Sequence, residues 1–283
     1  MEIQKIAVIG AGIMGGGIAQ AAAMGGFSVI LLDINEDLAA AGLRKIASRL
    51  HKNVGQGKLT GPEKKHLLSL IRTSAGMEEC QGVDLVIEAV VEKEQVKKQL
   101  FKKLDGICPQ TTIFTSNTSS ISITRLGRAT ERPERFVGMH FMNPAHVMKL
   151  VEVIKGSDTS EQVLRLITAV AEKMGKVPVT VNDSPGFVAN RILMPMLNEA
   201  VFSLQEGVGS REAIDTIMQL GAHHPMGPLA LADLIGLDTC LAVLEVLHAE
   251  LGEKYRPCAL LRTMVSDGKL GKKSGEGFYT YAQ

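Results

Sequence analysis

The sequence predicts an α/β fold, a doubly wound sheet in the N-terminal part followed by an all-α C-terminal domain. Three observations predict it. Strand-like and helix-like stretches alternate from Lys5 to Val181. The first strand runs into Gly10-Ala-Gly12-Ile13-Met14-Gly15 at the head of a small-residue helix. Beyond Asn182-Asp-Ser-Pro185-Gly186 strand signals almost vanish while helical periodicity continues. The domain boundary is therefore expected at about residue 184, giving domains 1–184 and 185–283.

Taken in order, Ile6–Ile9 reads as a buried strand and Phe27–Asp33 as a second one that ends on a carboxylate. Between them lies G-x-G-x-x-G. The first glycine makes the tight turn, the second lets the backbone approach a pyrophosphate, and the third lets helix and strand pack closely. The helix start offers N–H groups and a positive dipole end to phosphates. Asp33 can accept from both ribose hydroxyls but would repel a 2′-phosphate, so NAD is expected over NADP. Strand, glycines, helix, strand and terminal Asp in register read as a Rossmann-type dinucleotide site built on Gly10, Gly12, Ile13, Met14, Gly15 and Asp33, rather than as a small-residue turn.

A long helix is expected from Glu36 to about Val54, and a second opens at Thr60-Gly-Pro62-Glu63, where Thr, Pro and Glu occupy start-signal positions. Asp84–Val90 reads as a strand, Glu94–Leu104 as a helix and Thr111–Thr115 as a strand breaking at Ser116-Asn117-Thr118-Ser119-Ser120. Strands Phe136–Phe141 and Leu150–Ile154, a helix over Ser160–Met174 and a strand Val177–Val181 complete the alternating part. Helices then follow over Phe187–Gln205, Ser210–Leu220, Leu229–Leu234, Leu237–Leu251 and Cys258–Val265. Their Leu, Met and Ala content suits a dimer surface as well as a core.

Composition sets the class. A chain of 283 residues with 45% hydrophobic residues has enough material for two cores. No Trp and only 4% aromatic residues argue against a base-stacking nucleic-acid binder. A net charge of +1 makes any anion site local. The four cysteines are scattered without short paired spacing, so neither zinc site nor disulfide framework is suggested, and a reducing compartment fits. The first strand begins within five residues of the N-terminus and no apolar run is long enough to span a bilayer. No membrane association and a cytoplasmic location are expected.

A dinucleotide fold does not name a reaction. His140 lies at the carboxyl end of its strand, the edge where open α/β sheets bind ligands. Glu152 is the only charge in Leu150-Val-Glu-Val-Ile154, and a carboxylate in an apolar strand is costly unless paired. The simplest partner is the imidazole one strand back, which the carboxylate would orient for proton transfer near neutral pH. On pattern alone, a structural histidine and a solvent-facing edge-strand Glu stay equally open. Ser116–Ser120 are first of all capping residues, and Asn190, at the start of the second domain, serves equally as an interdomain hydrogen bonder or a substrate contact in the cleft. Residues 38–62 hold no Asp or Glu but carry Arg44, Lys45, Arg49, Lys52 and Lys58. As a bare charge run this is a solvated helix face; as a site it suits a substrate with several phosphates.

Together these motifs carry a family resemblance. Gly10-x-Gly-x-Met14-Gly15-x-Gly17-Ile18, Ser116-Asn-Thr-Ser119-Ser120, Gly138-Met-His140-Phe-Met-Asn143-Pro144, Val151-Glu152-Val and Pro185-Gly-Phe-Val-Ala-Asn190-Arg resemble the L-3-hydroxyacyl-CoA dehydrogenases, in their short bacterial form, from residue 3 to Gly275-Glu-Gly-Phe-Tyr-Thr-Tyr281. The resemblance implies His140 as catalytic acid/base, Glu152 as its orienting partner, and Ser119 and Asn190 as substrate-positioning groups. It implies nucleotide contacts from Asp33, Glu92, Lys97, Asn117, Asn143 and Lys273. The basic helix becomes the site for the nucleotide end of coenzyme A, through Arg49 and Lys52. Related bacterial enzymes carry another lysine where this chain has Gln56.

The implied activity is reversible hydride transfer between NAD(H) and C3 of a short acyl-CoA, the pair 3-hydroxybutyryl-CoA and acetoacetyl-CoA, in a homodimer or higher homo-oligomer. Protonated His140 supplies the positive charge where an alkoxide develops, so no metal is expected. A sugar-acid (gulonate-type) dehydrogenase of the same superfamily would have no use for the basic helix. A non-catalytic NAD-binding structural protein would have no use for Ser119, His140, Glu152 and Asn190 together.

Overall fold

The fold is seen in a computed structural model that describes residues 2–282. The chain divides into two compact units, one ending at Asp183 and the other beginning at Ser184.

The first unit is built on one eight-stranded sheet among the described residues. In chain order its elements are β1 (Lys5–Ile9), α1 (Ile13–Met24), β2 (Ser28–Leu32), α2 (Glu36–Gly55), α3 (Gly61–Ser69), β3 (Ile71–Ser74), β4 (Leu85–Glu88), α4 (Glu94–Ile107), β5 (Ile113–Ser116), α5 (Ile123–Gly127), β6 (Phe136–Phe141), β7 (Leu150–Lys155), α6 (Glu161–Lys173) and β8 (Val177–Asn182). The strand order is β3-β2-β1-β4-β5-β6-β7-β8. All neighbours are parallel except β6 and β7. The chain leaves β1 for β2 on one side and returns to β4 on the other, so the order reverses at β1, where ligands of doubly wound sheets bind.

Near-continuous apolar runs such as Ile6–Ile9 and Leu85–Ile87 are fully buried, as strands covered by helices on both faces must be. Local chemistry fixes the helix starts. Asn35 accepts from Leu38 N ahead of α2, and Thr60 with Glu63 forms a capping box on α3.

β3 falls outside the elements expected from sequence, whereas the helix expected after the Ser116–Ser120 turn is the short α5. Ile71-Arg-Thr-Ser74 is too short to show alternation and becomes a strand by pairing with Val29–Leu32. α5 has one turn and depends on Ser122 at its start. β7 is an interior strand with β8 beyond it, so the solvent-facing edge position for Glu152 does not exist.

The second unit is helical, with α7 (Ala189–Gln205), α8 (Arg211–Gly221), α9 (Pro228–Ile235), α10 (Leu237–Leu251) and α11 (Ala259–Ser266). They enclose their own core, centred on Leu197, Leu229, Leu237, Leu244 and Leu261. No helix among the described residues is long and apolar enough to cross a membrane.

Candidate active site

Because β1, β2, β4, β5 and β6 run the same way, one edge of the sheet collects the glycine loop, Asp33, Ala89 and Val90, Asn117 and His140. The three glycines are required for different reasons. Gly10 has φ +99°, and a Cβ there would come to 2.6 Å from the Ala89 carbonyl oxygen. A Cβ on Gly15 would lie 1.7 Å from the Gly10 carbonyl oxygen, so α1 could not pack against the loop. Gly12 differs: its φ of −67° suits any residue, and nothing lies within 4 Å of its Cβ position. No protein contact among the described residues demands glycine there, whereas a backbone that must come close to a phosphate does. No described side chain caps α1, so its first amides are available to an anion.

The Asp33 carboxylate accepts from Ala11 N at 2.6 Å and Ile34 N at 2.7 Å, tying the end of β2 to the glycine loop. It lines a cavity of about 640 Å³ together with Gly10, Gly12, Ile34, Val90 and Val91. Ile13, Ile34 and Val91 are exposed apolar side chains beside that loop, and Met14 is half-buried. A floor of glycines, an acidic wall and an apolar rim fit a dinucleotide such as NAD.

His140 and Glu152 are directly opposed in the antiparallel β6–β7 pair, so both side chains stand on one face of the sheet. His140 Nδ1 lies 2.8 Å from Glu152 Oε2. Both are buried, at 7% and 3% side-chain exposure. The carboxylate fixes which ring nitrogen bears hydrogen: Nδ1–H donates to Glu152, and proton exchange falls to Nε2.

The polar turn after β5 is more than a cap. Asn117 Oδ1 accepts from Phe141 N at 2.8 Å, binding the turn to the residue after His140. Glu92 Oε1 accepts from Ser119 N at 2.8 Å and Ser120 N at 3.3 Å, and also from the Thr118 hydroxyl. Lys97 is 1% exposed, in salt bridges with Glu88 at 2.5 Å and Glu92 at 3.3 Å. Its ammonium is thus held by the Glu88 and Glu92 carboxylates and the Val90 carbonyl. Glu88, the other buried charge at this edge, was not singled out from sequence. Its signal is the one that exposed Glu152: a lone acid in an apolar strand, Leu85-Val-Ile-Glu88.

Asn143 is exposed in the loop after β6. Lys176, also not anticipated, holds that loop by donating to the carbonyl oxygens of Ala145 at 2.5 Å and Met148 at 2.8 Å. Of the basic residues on α2, Arg49 is engaged: it donates to Gln20 Oε1 at 2.9 Å and to the Gly16 carbonyl at 3.1 Å. Lys52 is exposed. Burial first, then the charges of Arg49 and Lys176, depress the His146 imidazole below its ordinary pKa, so these cations concentrate positive charge beside α1. In the second unit, Asn190 is half-buried in the first turn of α7, and Lys273 forms a 2.5 Å ion pair with Asp238.

Comparison with known proteins agrees with this construction. The profile of the 3-hydroxyacyl-CoA dehydrogenase NAD binding domain matches residues 5–184, and that of the 3-hydroxyacyl-CoA dehydrogenase C-terminal domain matches residues 186–281. A probable 3-hydroxybutyryl-CoA dehydrogenase of Bacillus subtilis is 55% identical over 100% of this chain and 99% of its own length. The human mitochondrial hydroxyacyl-coenzyme A dehydrogenase is 42% identical over 99% of this chain and 91% of its own. The crystal structure of (S)-3-hydroxybutyryl-CoA dehydrogenase from Ralstonia eutropha superposes with a TM-score of 0.97 at 48% identity, covering 100% of both chains. With both of its units matched and whole-length relatives this similar, the chain belongs to the 3-hydroxyacyl-CoA dehydrogenase family.

Proposed function

We propose that the protein is an NAD-dependent 3-hydroxyacyl-CoA dehydrogenase interconverting short-chain 3-hydroxyacyl-CoA and 3-ketoacyl-CoA, with 3-hydroxybutyryl-CoA and acetoacetyl-CoA as the substrate pair. The observation that carries the reading is the buried His140–Glu152 pair, set at the sheet edge that also holds the glycine loop and Asp33. Gly10, Gly12, Ile13, Met14, Gly15 and Asp33 hold the dinucleotide. NAD, when bound, supplies the hydride acceptor for C3, and its reduced form the donor.

In the oxidising direction neutral His140 takes the C3 hydroxyl proton at Nε2. Its Nδ1–H stays on Glu152, whose negative charge stabilises the imidazolium that forms. In the reducing direction the imidazolium returns that proton to the keto oxygen. Ser119 and Asn190 position the substrate, and Lys52 faces the nucleotide end of coenzyme A. Arg49, on α2 and hydrogen-bonded to Gln20 and Gly16 of α1, supports the same site. The same reading includes a cytoplasmic location and self-association through the helical unit, supported by the exposed Ile192, Ile217 and Leu220 on α7 and α8.

Initial rates test the proposal. NADH oxidation is expected with acetoacetyl-CoA, far slower with free acetoacetate, and less efficient with NADPH, which Asp33 repels. Equal turnover of the free acid would point to a sugar-acid type of dehydrogenase, and no turnover of either would remove the catalytic reading.

A further inference from the structure

Three nitrogen side chains gather on the first two turns of α1. Arg49, on α2, donates to the Gly16 carbonyl at 3.1 Å and to Gln20 Oε1 at 2.9 Å, so its guanidinium is fixed along the helix. The loop after β6 packs against the next residue, Gly17, where a Cβ would come within 3.0 Å of Ala145 Cβ and 3.3 Å of His146 N. Lys176 holds the same loop through the carbonyls of Ala145 and Met148, on either side of His146 in the chain. A half-buried imidazole thus has two anchored cations for neighbours.

The signs of these neighbours decide what the imidazole can do. α1 contributes no ionisable side chain, α2 contributes Arg49, and the approach to β8 contributes Lys176. Lys45 and Lys52 lie one turn from Arg49 on α2, and residues 38–62 carry no carboxylate. Partial burial and then the two cations hold His146 below its ordinary pKa, so the ring is neutral at neutral pH in the unliganded protein. An arriving anion reverses the balance: a diphosphate beside Arg49 cancels the repulsion that keeps the proton off and accepts a charge-assisted hydrogen bond from the ring. Binding and protonation then support each other. Neither Arg49, His146 nor Lys176 lines the cavity beside Asp33, so this anion is not the diphosphate of the dinucleotide.

We infer that His146 is a specificity residue for the diphosphate of coenzyme A, taking up a proton as the nucleotide end of the substrate docks against Arg49. This rests on the acyl-CoA reading of the substrate and adds to it a residue and a pH dependence. Affinity for the CoA thioester should rise as pH falls through the ring's pKa in the complex, and level off below its pKa in the free enzyme, where the ring is charged before the ligand arrives.

Titration calorimetry of wild type and His146→Gln, in buffers of different ionisation enthalpy at about pH 6.5, counts the protons bound with each ligand. The difference between the two proteins cancels protons exchanged by His140 and by the ligand's own phosphates. It should be about half a proton with acetoacetyl-CoA and close to zero with the acetoacetyl-pantetheine thioester, which lacks the diphosphate. In steady state, kcat/KM of His146→Gln with acetoacetyl-CoA should fall about threefold to tenfold at about pH 6.5 and less than about twofold at about pH 8.5, where the wild-type ring also stays neutral. An NADH Kd within about threefold of wild type shows that the fold and cofactor site are intact. Equal proton counts in the two proteins overturn the inference, as does weakened NADH binding with unchanged affinity for acetoacetyl-CoA, which would move the cluster to the cofactor's diphosphate. Wild type that bound acetoacetyl-CoA no more tightly than the pantetheine thioester would instead remove the acyl-CoA reading. Inorganic diphosphate, titrated in the same way, tells the two failures apart: the same difference in protons keeps His146 as an anion ligand, and no difference removes it as well.

Discussion

Glu88 and Glu152 in the sheet unit, and Asp215 and Asp233 in the helical unit, are all carboxylates withdrawn from water, yet their partners differ in kind. In the sheet unit the partners are side chains that carry or exchange protons, Lys97 and His140. In the helical unit they are fixed dipoles. Asp215, on α8, accepts from Leu229 N at 2.8 Å and Ala230 N at 3.0 Å, serving as an external cap for α9, and from the Tyr279 hydroxyl at 2.9 Å. Asp233 accepts from Phe278 N and Tyr279 N, both at 2.9 Å, and from the Tyr281 hydroxyl at 3.0 Å. Burial and then these carboxylates push both phenols up, so the tyrosines act as hydrogen-bond donors and not as acids.

Glycines clear the way for both Asp side chains. A Cβ on Gly227 would sit 2.2 Å from Asp215 Cβ, and one on Gly277 2.0 Å from Asp233 Oδ1. A buried acid among backbone amides stitches chain segments together. A buried acid beside an ionisable side chain can change what that side chain does. The first arrangement belongs to folding, and the second, at His140, is the one through which the proposed reaction moves its proton.

His140→Gln should show the largest effect, lowering kcat by about a hundredfold to ten-thousandfold while leaving NADH affinity and the urea unfolding midpoint close to wild type. A variant that lost stability and kept turnover would move the pair into the structural class. Asp233→Ala is the converse case. It leaves two amides and a hydroxyl without their acceptor, and the free energy of unfolding measured in urea should fall by about 3–5 kcal/mol. A loss below about 1 kcal/mol would show that solvent or neighbouring groups replace the carboxylate.

Glu152→Gln should come next, with kcat down about tenfold to a hundredfold, the range seen for groups that orient a functional histidine. Combined with His140→Gln it should add less than about threefold, because the two act as one unit. Losses that multiplied in the double variant would dissolve the dyad into independent residues. The smallest effect belongs to an exposed charge outside both groups. Lys52→Glu should raise the KM for acetoacetyl-CoA only by about threefold to tenfold, less at high salt, and leave a pantetheine thioester unaffected. Equal effects on both substrates would remove α2 from the coenzyme A site.

What could be read from the chain divides along physical lines. Gly10, Gly12 and Gly15 act through backbone geometry over a few residues, so their spacing carries their meaning. His140 and Glu152 were approachable because each interrupts an apolar strand, although only the antiparallel register brings them opposite one another. Lys97 was readable as a charge but not as a buried one. Its position four residues before Phe101 and seven before Leu104 places it on the core face of α4, a clue masked by the flanking Lys98, Lys102 and Lys103. The grip of Lys176 on Ala145 and Met148 joins residues distant in sequence through carbonyl groups that every residue possesses, so no side-chain pattern announces it.

The β6–β7 pairing also bears on how such an enzyme can diversify. Because His140 and Glu152 are aligned by ladder register, their pairing does not depend on the side chains of the connection over residues 142–149. Lys176 holds that connection by main-chain carbonyls, which survive replacement of the residues bearing them. Side chains of that segment other than Asn143 can therefore change while the alignment of His140 with Glu152 is kept.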